Sequence, residues 1–589
     1  MFKEGFIWGV AASSYQTEGK DPEDGIGVSV WDEFVRSGNG HILDGSNADV
    51  TCDHMHHYKD DYRLMGMMGI KAYRFSVSWT RLIPDGTGEV NPKAVALYRD
   101  MILEMKKNGI EPYLNLYHWD HPAILQRKGG WLNDDMVEWF GNYAGVVSEN
   151  FSDICENFIT MNEPECFVGI GNISGIHAPG YKLSIKDSFI IAHNALKAHG
   201  LAAKNLRKYA KQPIKVGYAP TCSIAYPYTD SKEDIEAARK VLFGFYWDTL
   251  EEWSWNVSWF TDPAFLGSYP EEGLKKFKEY LPEITKEDME LIHQPLDYLG
   301  FNIYNGYPIR AGKDGEPEFV SRPAGYPKTA AQWPVTPECL YWAAKFMHER
   351  YHMPFMVTEN GMSCHDLVST DGMVHDQNRI DFLDAYLSQL QKANDEGVDV
   401  IGYFVWTFLD NFEWEKGYTE RFGMCYVDYR TLERTLKDSA YWYSEVIATN
   451  GANLSVNSGI RQVAFLNDDL KVVNGAYDGL SLEEFSDKYP ELVANIILDT
   501  SKIRSALDIK DIPSEEGESR IDVFTAWTVD VKEPMFFMMD KPYIIMKVLS
   551  GSGIVNSKFL KEGSIFLVPE GMGAVNMQGD MKLLALTQA

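Results

Sequence analysis

The chain of 589 residues carries a formal net charge of −30, with hydrophobic residues at 45 % and charged residues at 24 %. That length exceeds what one core usually serves, so one large domain and one smaller one are expected. The acidic balance argues against nucleic acid and anionic membrane surfaces as partners, since both attract basic faces, and the composition leaves no case for disorder.

From the N-terminus, compact apolar runs alternate with longer amphipathic stretches, the pattern of parallel strands joined by helices. The runs are Phe6 to Ser13, Ala72 to Val77, Pro112 to His118, Phe158 to Glu163, Ile214 to Pro220, Leu296 to Tyr304, Pro354 to Glu359 and Val400 to Phe408. Eight strands with eight crossovers predict an α/β fold, a closed (β/α)8 TIM barrel over residues 1–448. Helical spacing is clear between the last two runs, where Ile380, Phe382, Leu383, Tyr386, Leu387 and Leu390 fall on one face. Residues 449–460 are small and polar, a linker by composition. Beyond it, short β-type runs (Val523 to Val529, Tyr543 to Leu549, Ile565 to Val568, Lys582 to Leu586) predict a smaller, mostly antiparallel β domain over 461–589. That tail contains no His or Cys. The seven cysteines are an odd number without C-x-x-C spacing. Together with the lack of a signal-like N-terminus and of any apolar run near about 18 residues, they predict a soluble, cytoplasmic protein.

A barrel of this kind gathers its site at the carboxyl ends of its strands. Those ends supply Gln16 and Glu18, Arg74, His118 and Trp119, Asn162 and Glu163, Tyr218, Asn302 and Tyr304, Glu359, and Trp406 with Glu413 and Trp414 in the loop beyond. Pro164 cannot donate a backbone hydrogen bond and biases its neighbour toward extended geometry, so Glu163 is expected at a strand end, facing a loop mouth. Two carboxyl groups facing each other are the minimum equipment for glycoside hydrolysis, one as acid and the other as nucleophile or base. Arg74, where it reaches Glu359, would hold that group ionised, and Glu163 would need a raised pKa to donate a proton. Asn162 suits a hydrogen bond to a sugar 2-hydroxyl, or equally a cap on the following turn. With 16 Trp, the aromatic content fits stacking platforms for sugars as well as a large core. The histidines of Asp53-His54-Met55-His56-His57 fall on different helix faces, which argues against a metal site.

Several segments in order carry a resemblance: Phe6-Ile7-Trp8-Gly9, Gln16-Thr17-Glu18-Gly19, Tyr73 to Trp79, Tyr117-His118-Trp119-Asp120, Thr160-Met161-Asn162-Glu163-Pro164, Thr358-Glu359-Asn360-Gly361 and Trp406 to Tyr418. Over residues 2–446 the chain resembles the family 1 glycoside hydrolases, retaining β-glycosidases on a (β/α)8 barrel. The resemblance implies Glu163 as acid/base and Glu359 as nucleophile. Gln16, His118, Asn162, Trp406, Glu413 and Trp414 would surround the glycone, with Tyr304 and Arg74 on the nucleophile, Asn302 in support and Trp333 stacking on the leaving group. No cofactor or metal is implied. Two departures stand out: His121 is expected to alter loop packing or the mouth of the pocket, and Glu338-Cys339 lies in a region expected to shape the outer subsite. Glu413 would repel a 6-phosphate, and Lys416 alone does not reverse that, so the expected substrate is an unphosphorylated β-D-glucoside. The alternatives are a 6-phospho-β-glucosidase and a non-catalytic sugar-binding protein. The tail segments Val548 to Asn556, Lys561 to Pro569 and Gly579 to Leu584 are similar to the cupin-like β-domain of type I mannose-6-phosphate isomerases. Without histidine the tail lacks the usual cupin metal site, so packing or oligomer contact is its first reading and carbohydrate binding its second.

Overall fold

A computed structural model of the chain describes residues 1–455 apart from positions 22, 39, 247, 248, 250 and 314, and parts of the region 464–588. The eight apolar runs form strands β1 (Ile7–Ala11), β2 (Ala72–Ser76), β3 (Glu111–Asn115), β4 (Asn157–Asn162), β5 (Lys215–Ala219), β6 (Tyr298–Asn302), β7 (Phe355–Asn360) and β8 (Val400–Trp406). They pair in parallel in chain order, and β8 returns to β1 with Ile7 opposite Gly402 and Ala11 opposite Trp406, closing the barrel. Closure leaves no exposed strand edge among the eight.

Each strand sends at least one residue into a shared buried cluster: Ala11, Ala72, Tyr113, Ile159, Ala219, Tyr298, Met356, and Phe404 with Trp406. Three alanines among the larger side chains leave room for the rings. A Cβ on Gly217 would lie 2.1 Å from the Tyr298 ring, and one on Gly9 would lie 2.4 Å from Phe404. Glycine at both positions is what seats the two aromatic side chains.

Helices α1 (His54–Met67), α2 (Pro92–Lys107), α3 (Asp135–Phe151), α4 (Ile185–Lys208), α5 (Lys232–Phe243), α6 (Glu338–Tyr351), α7 (Gln377–Asp395) and α8 (Asp438–Ala448) lie between and after the strands. Their starts follow from sequence. Asn91 accepts the Lys93 N–H with Pro92 in the first turn of α2, and Ser184 accepts the Asp187 N–H at the start of α4. In α7 the buried face contains Phe382, Leu383, Tyr386, Leu387 and Leu390, with Ile380 half-buried. His54 on α1 is spent inside the fold, 2.8 Å from Asp61 and 3.1 Å from Tyr62, while His56 and His57 sit beside Asp53.

The chain divides into two compact units, Met1–Ala452 and Asn453–Ala589. In the second, the described strands form an antiparallel sheet in the order 464–466, 565–569, 543–555, 574–588, 524–531 and 519–521. Its core contains Val531, Ile544, Met546, Val548, Phe566, Val568, Leu583 and Ala585. Linker positions 456–460, and Val523 of the expected tail strand, lie outside the described residues. All seven cysteines are free, and all but Cys364 are buried. Among the described residues, no helix is long and apolar enough to cross a membrane.

Candidate active site

Glu163 follows the last residue of β4, but its backbone is not extended. It takes the left-handed conformation (φ 42°, ψ 68°) as the cap of a one-turn helix, Pro164–Cys166. The bias against helical geometry before proline is overridden locally. The Glu163 N–H donates to Ala219 O on β5 at 2.8 Å, and its carbonyl accepts from the Cys166 N–H at 3.0 Å. Pro164 fits because the first position of a helix has no intrahelical use for an N–H. The Asn162 side chain does not cap this turn, since its Oδ1 accepts from Arg74 and from Asn302 Nδ2, the latter at 2.9 Å.

Glu359 lies inside β7, which runs one residue further, to Asn360. Arg74 on β2 donates to its Oε1, and the Tyr304 hydroxyl donates to its Oε2 at 2.7 Å. Asn302 joins the two carboxylates' surroundings: its Nδ2 is 2.8 Å from Glu163 Oε1, and its Oδ1 accepts from Thr358 on β7 at 2.6 Å. The close approach of β7 and β8 explains Gly361, where a Cβ would stand 1.9 Å from Trp406 O.

The electrostatics differ from the expectation for Glu359. Burial pushes Glu163 up to about 7, with the charge of Glu359 acting in the same direction. Burial also raises Glu359, although Arg74 and Tyr304 oppose it, so the guanidinium moderates that group without bringing it below the usual carboxylate range. Two like charges in one dry site favour holding one proton between them. The guanidinium contact on Glu359 makes Glu163 the better home for it. Glu413 is raised well above the usual range by burial and by Glu415, Glu359 and Glu420. Burial and Arg74 push His118 well down, leaving a neutral imidazole.

A cavity of about 390 Å³ contains Glu163 and Glu359 in its wall, together with His118, Trp119, Tyr304, Trp333, Trp406, Glu413 and Trp414. His118 stacks between Trp406 and Trp414, with ring centroids 5.7 and 5.9 Å away. Trp333 packs edge-on against Tyr304 at 5.1 Å. Gln16, Asn162 and Asn302 have no exposed surface and Arg74 only 1 %, so these four stand behind the wall. Gln16 donates to Phe412 O at 2.9 Å and reaches Glu413 Oε2 at 3.3 Å.

Other expected positions lie elsewhere. Glu18 is paired with Arg81 at 3.1 Å and Tyr98 at 3.0 Å, away from the cavity. Tyr218 is buried beside His199. Of the two expectations for His121, the structure shows loop packing and not the mouth of the pocket. It ties Tyr117 (3.0 Å) to Gln126 (2.9 Å) inside the loop. Glu338 and Cys339 open α6 without lining the cavity. Sequence reasoning missed Cys166, His177, Cys222, Trp255 and Glu415, all in the cavity wall. His177 Nε2 lies 2.6 Å from Glu415 Oε2, a pairing that nothing in the spacing announces. Only Cys166 had a signal, its place one turn after Glu163. A larger cleft of about 590 Å³ around Arg239 and Arg350 lies apart from these carboxylates. Both of its arginines are already matched, Arg239 with Glu349 and Arg350 with Asp262.

Comparison with known proteins places this geometry. Residues 1–452 match the sequence model of Glycosyl hydrolase family 1. A protein named Beta-glucosidase A from Thermotoga maritima is 44 % identical over 453 residues, covering 76 % of this chain and 98 % of its own. A 1,4-beta-D-glucan glucohydrolase from Thermotoga neapolitana is 42 % identical, covering 76 % and 99 %. The solved structure of a beta-glucosidase from Thermotoga maritima in complex with glucoimidazole superposes with a TM-score of 0.69 at 43 % identity, covering 76 % of this chain and 99 % of that one.

Proposed function

The chain belongs to glycosyl hydrolase family 1, and from that membership we infer that it is a retaining β-glucosidase, acting on unphosphorylated β-D-glucosides through a covalent glycosyl-enzyme. The observation that carries this reading is the pairing of Glu163 and Glu359 in one cavity, with Arg74 and Tyr304 on Glu359 alone.

Glu163 is the acid. Its raised pKa keeps a proton available for the glycosidic oxygen as the bond to the leaving group breaks. Glu359 is the nucleophile, attacking the anomeric carbon to form the glycosyl-enzyme. Glu163, now ionised, removes a proton from the water that releases glucose. Arg74 and Tyr304 hold Glu359 in place. His118, Trp406, Glu413 and Trp414 surround the glycone, with Gln16 and Asn162 fixing its polar contacts from behind, and Trp333 forms the platform for the leaving group.

The preference against a 6-phosphate is supported by Glu413, an acidic side chain whose burial disfavours added negative charge and which offers a phosphate no cation, and by the pairing of Lys416, whose Nζ lies 3.4 Å from Glu415 Oε1. A cation so paired offers little to a phosphate. Comparing 4-nitrophenyl β-glucoside with its 6-phosphate tests this, and equal turnover of the two would refute it. We further assign residues 1–448 to the catalytic barrel, 449–460 to a linker and 461–589 to a cupin-like domain serving oligomer contact, in a cytoplasmic setting that the free cysteines support.

A further inference from the structure

Cys166 stands one turn after Glu163, and its Sγ lies 3.2 Å from Glu163 Oε2. The other oxygen, Oε1, takes the Asn302 amide at 2.8 Å. We propose that Cys166 is a positioning residue for the acid/base carboxylate: its thiol donates to Oε2 and, with Asn302 on Oε1, fixes the plane of the carboxyl group and supports the ionised form that Glu163 adopts after giving up its proton. The proposal rests on the assignment of Glu163 above.

The short helix Pro164–Cys166 turns at Glu163, and the Cys166 N–H to Glu163 O bond brings the thiol back onto the side chain that precedes it. The thiol is buried, lines the cavity, and is held in its protonated form by burial and by the negative charges of Glu163, Glu165 and Glu359. It therefore donates, and as S–H it donates weakly. A weak donor suits a carboxyl group that must alternate between acid and base. A strong charge-assisted donor would favour the ionised form and leave less of the group protonated at the working pH. Glu359 shows the contrast, with a guanidinium and a phenol on its two oxygens. The titratable and charged groups acting on Glu163 are Glu359 on β7, Arg74 on β2, Tyr304 beyond β6, and Glu165 and Cys166 on its own turn. Cys166 is the one among them that touches Oε2.

The test is the pH dependence of kcat/KM for the whole chain and its variants, measured on two substrates. Cellobiose needs its leaving group protonated; 2,4-dinitrophenyl β-glucoside does not. Cys166→Ala is expected to raise the pKa of the basic limb by about half a unit to one unit and to lower kcat/KM for cellobiose about fivefold, with the dinitrophenyl substrate within about twofold. Cys166→Ser restores a donor of greater strength, so it recovers the cellobiose rate and moves the basic limb to lower pH. It also carries the test alone where the alanine variant does not fold. A basic limb that stays at its wild-type position in the variants, or equal losses on the two substrates, overturns the proposal. Glu163→Ala in the same assay separates the two claims. If that variant still hydrolyses cellobiose at the wild-type rate, the acid/base assignment itself fails.

Discussion

At the scale of single residues, the two carboxylates are distinguished by what touches them. Glu359 has a cation and a phenol, whereas Glu163 has an amide and a thiol. Glu359→Ala removes the nucleophile and is expected to lower kcat/KM by about 10³-fold or more on every glucoside. Glu163→Ala should cost about 10²- to 10⁴-fold on cellobiose while sparing the formation of glycosyl-enzyme from activated aryl glucosides, so comparing leaving groups reads its role directly. The pH sign follows from the raised pKa of about 7 at Glu163. The proton is present below that value, so kcat/KM for poor leaving groups falls as pH rises through about 7. The same shift bears on stability. Between the ordinary glutamate range and about 7 the folded chain binds a proton that the unfolded chain has lost, so stability falls with rising pH across that window and the full cost of the buried charge is present above it. Glu163→Gln removes that cost. Its melting temperature at pH 8 is expected to exceed that of the wild type by about 2–4 °C, with the difference gone near pH 4. An advantage over the wild type that is no greater at pH 8 than at pH 4 would contradict the buried, raised carboxyl.

Individual elements place these residues by their ends. β4 delivers Glu163 through a left-handed residue, β6 delivers Asn302 as its last residue, and β7 presents Glu359 one residue before its own end. The periodicity of the strands and of α7 was legible because one-dimensional alternation encodes which face is buried. The backbone at Glu163 was not. A proline signals a break but not the direction taken, and here the bond to Ala219 on β5, a strand distant in sequence, decides it. Gly361 is the matching case at β7. Its role is space, since a Cβ would meet Trp406 O at 1.9 Å. Gly361→Ala must push β7 and β8 apart at the site, and is expected to lower kcat by about tenfold or more while costing about 1–3 kcal/mol in stability, the range for an overpacked position. Chemical denaturation alongside steady-state kinetics checks both. Unchanged values would mean that the two strand ends separate freely.

On the scale of the whole molecule, the relatives divide the chain where its contacts do. Matches that use 98–99 % of the relatives' own length cover 76 % of this chain, and the family match ends at residue 452, where the first compact unit does. A chain ending at Ala452 is therefore expected to fold and to retain at least about half of the wild-type kcat/KM on 4-nitrophenyl β-glucoside. A folded but inactive truncation would show that the tail takes part in the reaction.

The sequence by itself determined the eight strands, their order and the residue types at the strand ends, because burial periodicity and strand-end chemistry are local properties of the chain. Only the tertiary structure decided which of those rim residues share a cavity. Glu18 and His121 are spent on pairs of their own, while His177 and Glu415 enter the wall without prior signal. It also decided the state of Glu359, whose burial outweighs the guanidinium that the sequence had already paired with it. Contacts and dielectric surroundings are made by segments that meet only when the barrel closes, and no single stretch of sequence carries them.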